Sequence, residues 1–175
     1  MHNKLEKSVS ANDIIRKQEY RSKVCELENV IKNLDGALVG EERDKYNPLT
    51  HSFANGCYIR EINTPADQFI ITKIHKIEHP FFLMKGECSV LTEDGVVRLE
   101  APYYSTTKPG TKRVIYTHSD VQWITVHVTE HTDLEKIEKD IIAEDFSDSE
   151  ILLEDVNRFK DLLDFNNKTN KICHT

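Results

Sequence analysis

The stretch His75-Lys-Ile-Glu-His79-Pro-Phe-Phe-Leu-Met-Lys-Gly86-Glu87 decides how the rest of the chain is read. A histidine-bearing segment runs into an apolar one and stops at a glycine turn. Lys73, His75, Ile77 and His79 are spaced two apart, so a strand continued through 79 sends all four to one face. Two imidazoles on such a face can share one divalent ion, with Zn, Fe and Mn the candidates. A third ligand then has to come from His51, Glu87, His118 or His127. Lysine or arginine nearby repels a cation and favours an anion instead.

Working outward, short runs rich in β-branched and aromatic residues lie on both sides. They are CYIREI (57–62), QFIITKIHK (68–76), FFLMK (81–85), ECSVLT (87–92), VVRLE (96–100), YSTTK (104–108), KRVIYT (112–117) and VQWITVHVT (121–129). Turn chemistry separates several of them: Thr64-Pro65-Ala66-Asp67, Glu93-Asp94-Gly95, Pro109-Gly110 and Ser119-Asp120. Short strands at this spacing predict a sandwich or barrel.

Helical patterns flank the strands. Residues 11–39 read as one amphipathic helix, with Ser10 and Asp13 at capping-box-like spacing. Its apolar stripe is Tyr20, Val24, Leu27, Ile31, Leu34 and Leu38. Such a helix lies on the barrel or forms a coiled-coil seam. Residues 41–49 (EERDKYNPL) read as a polar link with a proline stop. After the strands, Thr132 and Glu135 form a capping box before Leu134, Ile137, Ile141 and Ile142. A second helix carries Leu152, Val156, Phe159 and Leu163, and the tail from Asn166 reads as frayed. The division is a helix and linker over 1–47, a β-barrel over 48–130, and helices with a tail over 131–175.

The succession of His75, His79, Gly86, the Glu-Asp-Gly hairpin and Lys108-Pro109-Gly110-Thr111-Lys112-Arg113 resembles the two motifs of the cupin superfamily. The first family motif runs HxH, Glu, Gly; the second is PxGxxH. Matched on Gly86 and Gly110, His75 falls on a family histidine and His79 on the family glutamate. Lys73 and Arg113 then stand where the family has its other two metal-binding histidines. The resemblance covers about half the chain and implies a mainly β, jelly-roll barrel of cupin type with flanking N- and C-terminal α-helices. HSFANGCYIREI (51–62), KIHKIEHPFFLMKGE (73–87), TEDG (92–95), KPGTKR (108–113) and WITVH (123–127) also resemble cupin-like proteins of tailed bacteriophages.

Bulk properties narrow the class. The 175 residues are 38% apolar and 30% charged, enough for one modest domain with appended helices. The net charge is −7, and the excess acid sits in residues 131–175, which hold twelve acids against six bases. No basic face for a nucleic-acid duplex is expected, and no membrane segment. Cys25, Cys57, Cys88 and Cys173 form no CxxC pair, so neither a zinc motif nor a disulfide framework is read from them. A cytoplasmic protein follows, in the host cytoplasm if it is phage-encoded. There is no Walker loop, GxGxxG or Ser-His-Asp order.

Three functions stay open. The leading one is a binding module rather than an enzyme. Lys73, His75, His79, Arg113, Lys112, Tyr116 and Trp123 line a pocket for a small anionic or nucleotide-like ligand, and no catalytic residue is assigned. With the phage resemblance, such a protein would sequester a host signalling molecule as an anti-defence device. The second is a metal-dependent isomerase, dioxygenase or hydrolase built on His75 and His79. The third is a phage structural or assembly protein. Apolar helix stripes and barrel edges predict a homodimer or higher homo-oligomer.

Overall fold

A computed structural model describes residues 11–38, 40–148 and 150–151. The elements run α1 (Ala11–Lys32), α2 (Gly40–Tyr46), β1 (Leu49–Ala54), β2 (Cys57–Thr64), β3 (Phe69–Ile71), β4 (Ile74–His75), β5 (His79–Lys85) and β6 (Glu87–Thr92). They continue with β7 (Gly95–Glu100), β8 (Tyr103–Thr107), β9 (Val114–Thr117), β10 (Val121–Val128), α3 (Leu134–Ile141) and β11 (Ile142–Ala143). The second C-terminal helix and the frayed tail expected beyond 151 lie outside the described residues, as does Ser10.

The strands form two main antiparallel sheets. One has the order β1-β2-β10-β5-β8 and the other β3-β9-β6-β7, while β4 pairs with β11 apart from both. The sheets face each other across one core. Phe81 and Leu83 of β5 with Val121 and Trp123 of β10 meet Cys88 and Val90 of β6, Leu99 of β7 and Ile115 of β9. Leu83 is fully buried, and a side chain buried this way stabilises the fold by about 1.5–3 kcal/mol. Strict alternation along β10 sends Val121, Trp123, Thr125 and His127 inward. The expected continuous barrel is therefore a sandwich of two separate ladders among the described residues.

Gly86 is the turn on which β5 passes into β6. Its φ is +82°, and a Cβ there would run into the Asp120 carbonyl, so only glycine fits.

Three local expectations need correction. The 11–39 helix ends at Lys32, and the supposed link contains a helix of its own, α2, which the good helix formers of GEERDKY support. The stretch 68–76 is two strands rather than one. The N-cap of α3 is Asp133, whose side chain accepts from the Glu135 and Lys136 amides, and not Thr132.

Helix α1 lies along the sandwich, as in the first of its two readings. The Tyr20 hydroxyl is 2.9 Å from the Leu91 carbonyl and 2.8 Å from that of Lys112. Burial pushes its phenol up to about 12, so it stays a donor. Ile14 and Val24 are buried beneath the helix, whereas Leu27, Val30 and Leu34 remain exposed.

Candidate functional site

The concave face of the five-stranded sheet can be read in cross-strand rows. Ile62 stands opposite Trp123, Arg60 opposite Thr125, and Tyr58 opposite His127. On the other side of β10, Trp123 stands opposite Leu83 and Thr125 opposite Phe81. The next inward residue of β5 is His79, which pairs with Thr107 of β8. The row nearest α3 thus carries Tyr58, His127, His79 and Thr107.

His75 joins this row by a different route from the one expected. The strand does not continue from 73 to 79. It breaks at 76–78, Ile77 turns out to solvent, and β4 is held by β11, with His75 opposite Ile142. The bend folds His75 back over the start of β5. The ring centroids of His75 and His79 are 4.2 Å apart, those of His79 and His127 4.4 Å, and those of His75 and His127 5.4 Å. One ring nitrogen from each of the three lies within 4.8 Å of the others.

This donor set fits a metal ion. The Nδ1 atoms of His75 and His127 are buried with no hydrogen-bond partner. His79 Nδ1 lies 3.0 Å from the Ile77 carbonyl, which can only accept. That contact fixes Nδ1 as the protonated nitrogen and leaves the Nε2 lone pair free. His127 Nε2 meets the Thr125 hydroxyl at 3.2 Å. Burial pushes His75 down to about 2 and His127 down to about 3, helped in both by His79 and Arg60. Burial lowers His79 as well, against the Ile77 carbonyl that raises it. The imidazoles are therefore neutral and able to ligate. The other two buried partnerless side-chain atoms among the described residues are Asn47 Oδ1 and Thr64 Oγ1.

A cavity of about 140 Å³ opens onto His75 and His79. Its lining includes His75, His79, Arg60, Arg113, Thr107 and Thr125, with Ile62, Ile70, Ile115, Val121 and Trp123 as apolar wall. Arg113 reaches in from the chain just before β9. Its Nη1 donates to the Thr107 hydroxyl at 2.9 Å, and its guanidinium lies 5.1 Å from the Phe81 ring centre. A larger groove of about 540 Å³ lies where the end of α1, α2 and β3 meet, but no histidine or cysteine lines it.

The other residues read from the sequence divide clearly. Trp123 is in the cavity wall, stacked on Phe81 at 4.7 Å. Lys73 is at the rim, exposed and paired with Glu138. Lys112 and Tyr116 do not line the cavity. Lys112 points to α1, where its ammonium is 2.9 Å from Glu28, and the Tyr116 hydroxyl donates to Asp67 at 2.8 Å. Of the four candidate third ligands, the structure brings His127 to the pair. His51 contacts the Tyr58 hydroxyl at 2.7 Å, His118 contacts Ser89 at 2.7 Å, and Glu87 pairs with Arg98. Arg60 is the residue that the sequence reading missed. In the structure its register places it on one face with Tyr58 and Ile62.

A scan against family models finds no match, and neither does a comparison with curated protein sequences. Solved structures similar to this chain include cupin-domain proteins. A cupin-2 domain protein from Shewanella frigidimarina is 10% identical, with 46% of this chain and 79% of that one covered and a TM-score of 0.40. A DMSP lyase from Ruegeria pomeroyi is 14% identical, with 56% and 54% covered and a TM-score of 0.46. An acetylacetone dioxygenase from Acinetobacter johnsonii is 23% identical, with 47% and 58% covered and a TM-score of 0.39. Among the described residues, no helix is long and apolar enough to cross a membrane.

Proposed function

We propose that this chain is a metal-dependent protein on a cupin-type jelly-roll frame, acting on a small molecule. His75, His79 and His127 would hold one divalent ion, with Zn, Fe and Mn all suited to imidazole donors. The observation that carries this reading is the convergence of one nitrogen from each histidine within 4.8 Å, at the edge of a cavity. Three protein ligands leave a coordination position open, which is the arrangement of catalytic rather than structural sites. The reading therefore moves from a binding module toward catalysis.

When bound, the ion would supply a Lewis acid that polarises a ligand oxygen. The chain's own residues do the rest. The Ile77 carbonyl orients His79, and the Thr125 hydroxyl meets His127. Thr107, beside His79, engages the Arg113 guanidinium. The apolar wall keeps water scarce around them and strengthens each charge interaction.

Elemental analysis of the purified protein tests the reading. About one Zn, Fe or Mn per chain is expected, with loss of most of it in each of His75→Ala, His79→Ala and His127→Ala. Less than about 0.2 ion per chain after metal-supplemented expression would overturn it.

A further inference from the structure

The cations around the cavity are not equivalent. Arg43 and Lys73 line it, but each has a carboxylate: Arg43 is 2.7 Å from Asp44, and Lys73 is paired with Glu138. Arg60 and Arg113 have none among the described residues. Arg60 makes no hydrogen bond or ion pair there, and the carboxylates that act on it from a distance, Glu138 and Asp44, are those already engaged by Lys73 and Arg43. Arg113 has one neutral hydroxyl and one aromatic face. Burial lowers both guanidiniums from their ordinary value, but arginine stays protonated. Both side chains are half-buried, and a charge shielded from water without a counter-ion is costly. Two of them in the lining of one cavity is what a site for an anion requires.

The walls add a second constraint. The cavity is about 140 Å³, below the roughly 300–1,000 Å³ of drug-sized sites. That is too small for a nucleotide. Ile62, Ile70, Ile115, Val121 and Trp123 offer surface to an apolar body rather than to hydroxyls.

We infer that the cavity takes a small carboxylate with an apolar body, its charge met by the guanidiniums of Arg60 and Arg113. The inference rests on this cavity being the functional site proposed above, but it does not require the metal ion to be present. Arg60 stands one row from His127 along β2 and β10, and Arg113 bonds the threonine beside His79. The anion is thus received next to the histidines.

Isothermal titration of butyrate, its neutral isostere butyramide and inorganic phosphate into the full chain tests this. Each titration is run on chelated protein and again on zinc-loaded protein. Butyrate is expected to bind at least tenfold more tightly than butyramide and more tightly than phosphate in both forms. Arg60→Met and Arg113→Met should each weaken butyrate at least tenfold, and Arg60→Lys should fall between. Lys85→Met, which removes an exposed cation from β5 outside the cavity, should leave binding unchanged.

Equal affinity for butyrate and butyramide would overturn the inference from the wild-type protein alone, even if a variant fails to fold. Tighter binding of phosphate would overturn the carboxylate assignment. Butyrate binding by protein that takes up no metal would sink the metal reading and keep this one. One ion per chain with no preference for butyrate over butyramide would do the reverse.

Discussion

Lys112 and Arg113 are neighbours in sequence, and the fold uses them in opposite ways. Lys112 turns outward to the seam under α1, where it is 7% exposed and lies 2.9 Å from the Glu28 carboxylate. Arg113 turns inward to the cavity and finds a threonine hydroxyl and a phenyl face, but no carboxylate among the described residues. Both are shielded cations. One is neutralised by the protein and the other is left for something else to neutralise. A charge that the fold pairs contributes to stability, whereas a charge it shields and leaves unpaired costs stability and is explained by a ligand.

The sharpest way to break this contrast is to remove both charges, one at a time. Lys112→Met should leave Glu28 without its main partner and loosen α1 from the sandwich. Glu28 is 25% exposed and can turn partly to water. The expected loss is thus about 1.5 kcal/mol, the low end for hydrogen bonds to charged groups. Urea denaturation measures it, and hydrogen exchange should show faster exchange in α1 around Tyr20 to Val24. A loss under about 0.3 kcal/mol, typical of surface pairs, would place Lys112 with ordinary exposed cations.

Arg113→Met should act the other way and more weakly. Methionine keeps most of the packing against Phe81 and removes a shielded charge. Unfolding free energy is expected to be no lower than that of the wild type, with a gain of up to about 1 kcal/mol. A loss larger than about 1 kcal/mol would show that Arg113 supports Thr107 and Phe81 structurally. The contrast with Lys112 would then disappear.

The same pair shows how far the sequence could be read. KPGTKR announces two adjacent cations at the head of an expected strand, where adjacency would send them to opposite faces, although β9 itself begins only at Val114. Which face holds the cavity depends on the second sheet and on α1, and neither is visible locally. Alternation along VQWITVHVT places His127 on the face of Trp123, so it could have been preferred to His51, His118 and Glu87. Arg60 was harder. In CYIREI one face reads Tyr58, Arg60, Ile62 and the other Cys57, Ile59, Glu61, each apolar with a charge, so alternation does not choose between them. The turn at 76–78 was hidden for another reason. It accompanies the pairing of His75 with Ile142, and a contact that distant leaves no trace in the spacing of 73, 75, 77 and 79. His75 and His79 meet all the same, through a bend rather than a shared strand.

The smallest expected effect is a carboxylate-linked pH dependence of the paired cation. Burial alone would raise the Glu28 carboxyl, but the Lys112 ammonium outweighs it, with help from Lys32, and holds the carboxyl below its ordinary range. A depressed carboxyl binds fewer protons folded than unfolded in this range. Its stabilisation is therefore complete above the unfolded carboxylate value, about 4.3, and is lost as pH falls through the lower folded value. Denaturation curves of wild type and Lys112→Met should be separated by a constant gap between pH 6 and 7 and should draw together once pH falls below the unfolded value of about 4.3 and through the lower folded one. No carboxylate titrates against Arg113 among the described residues, so Arg113→Met should show no carboxylate step; Arg113 helps hold His75 and His79 low, and the pH dependence that its removal brings belongs to those imidazoles. Parallel curves for wild type and Lys112→Met down to the lowest pH would mean that Glu28 and Lys112 do not sense each other. Lys112 would then be buried for its aliphatic stem alone, as long cationic side chains often are.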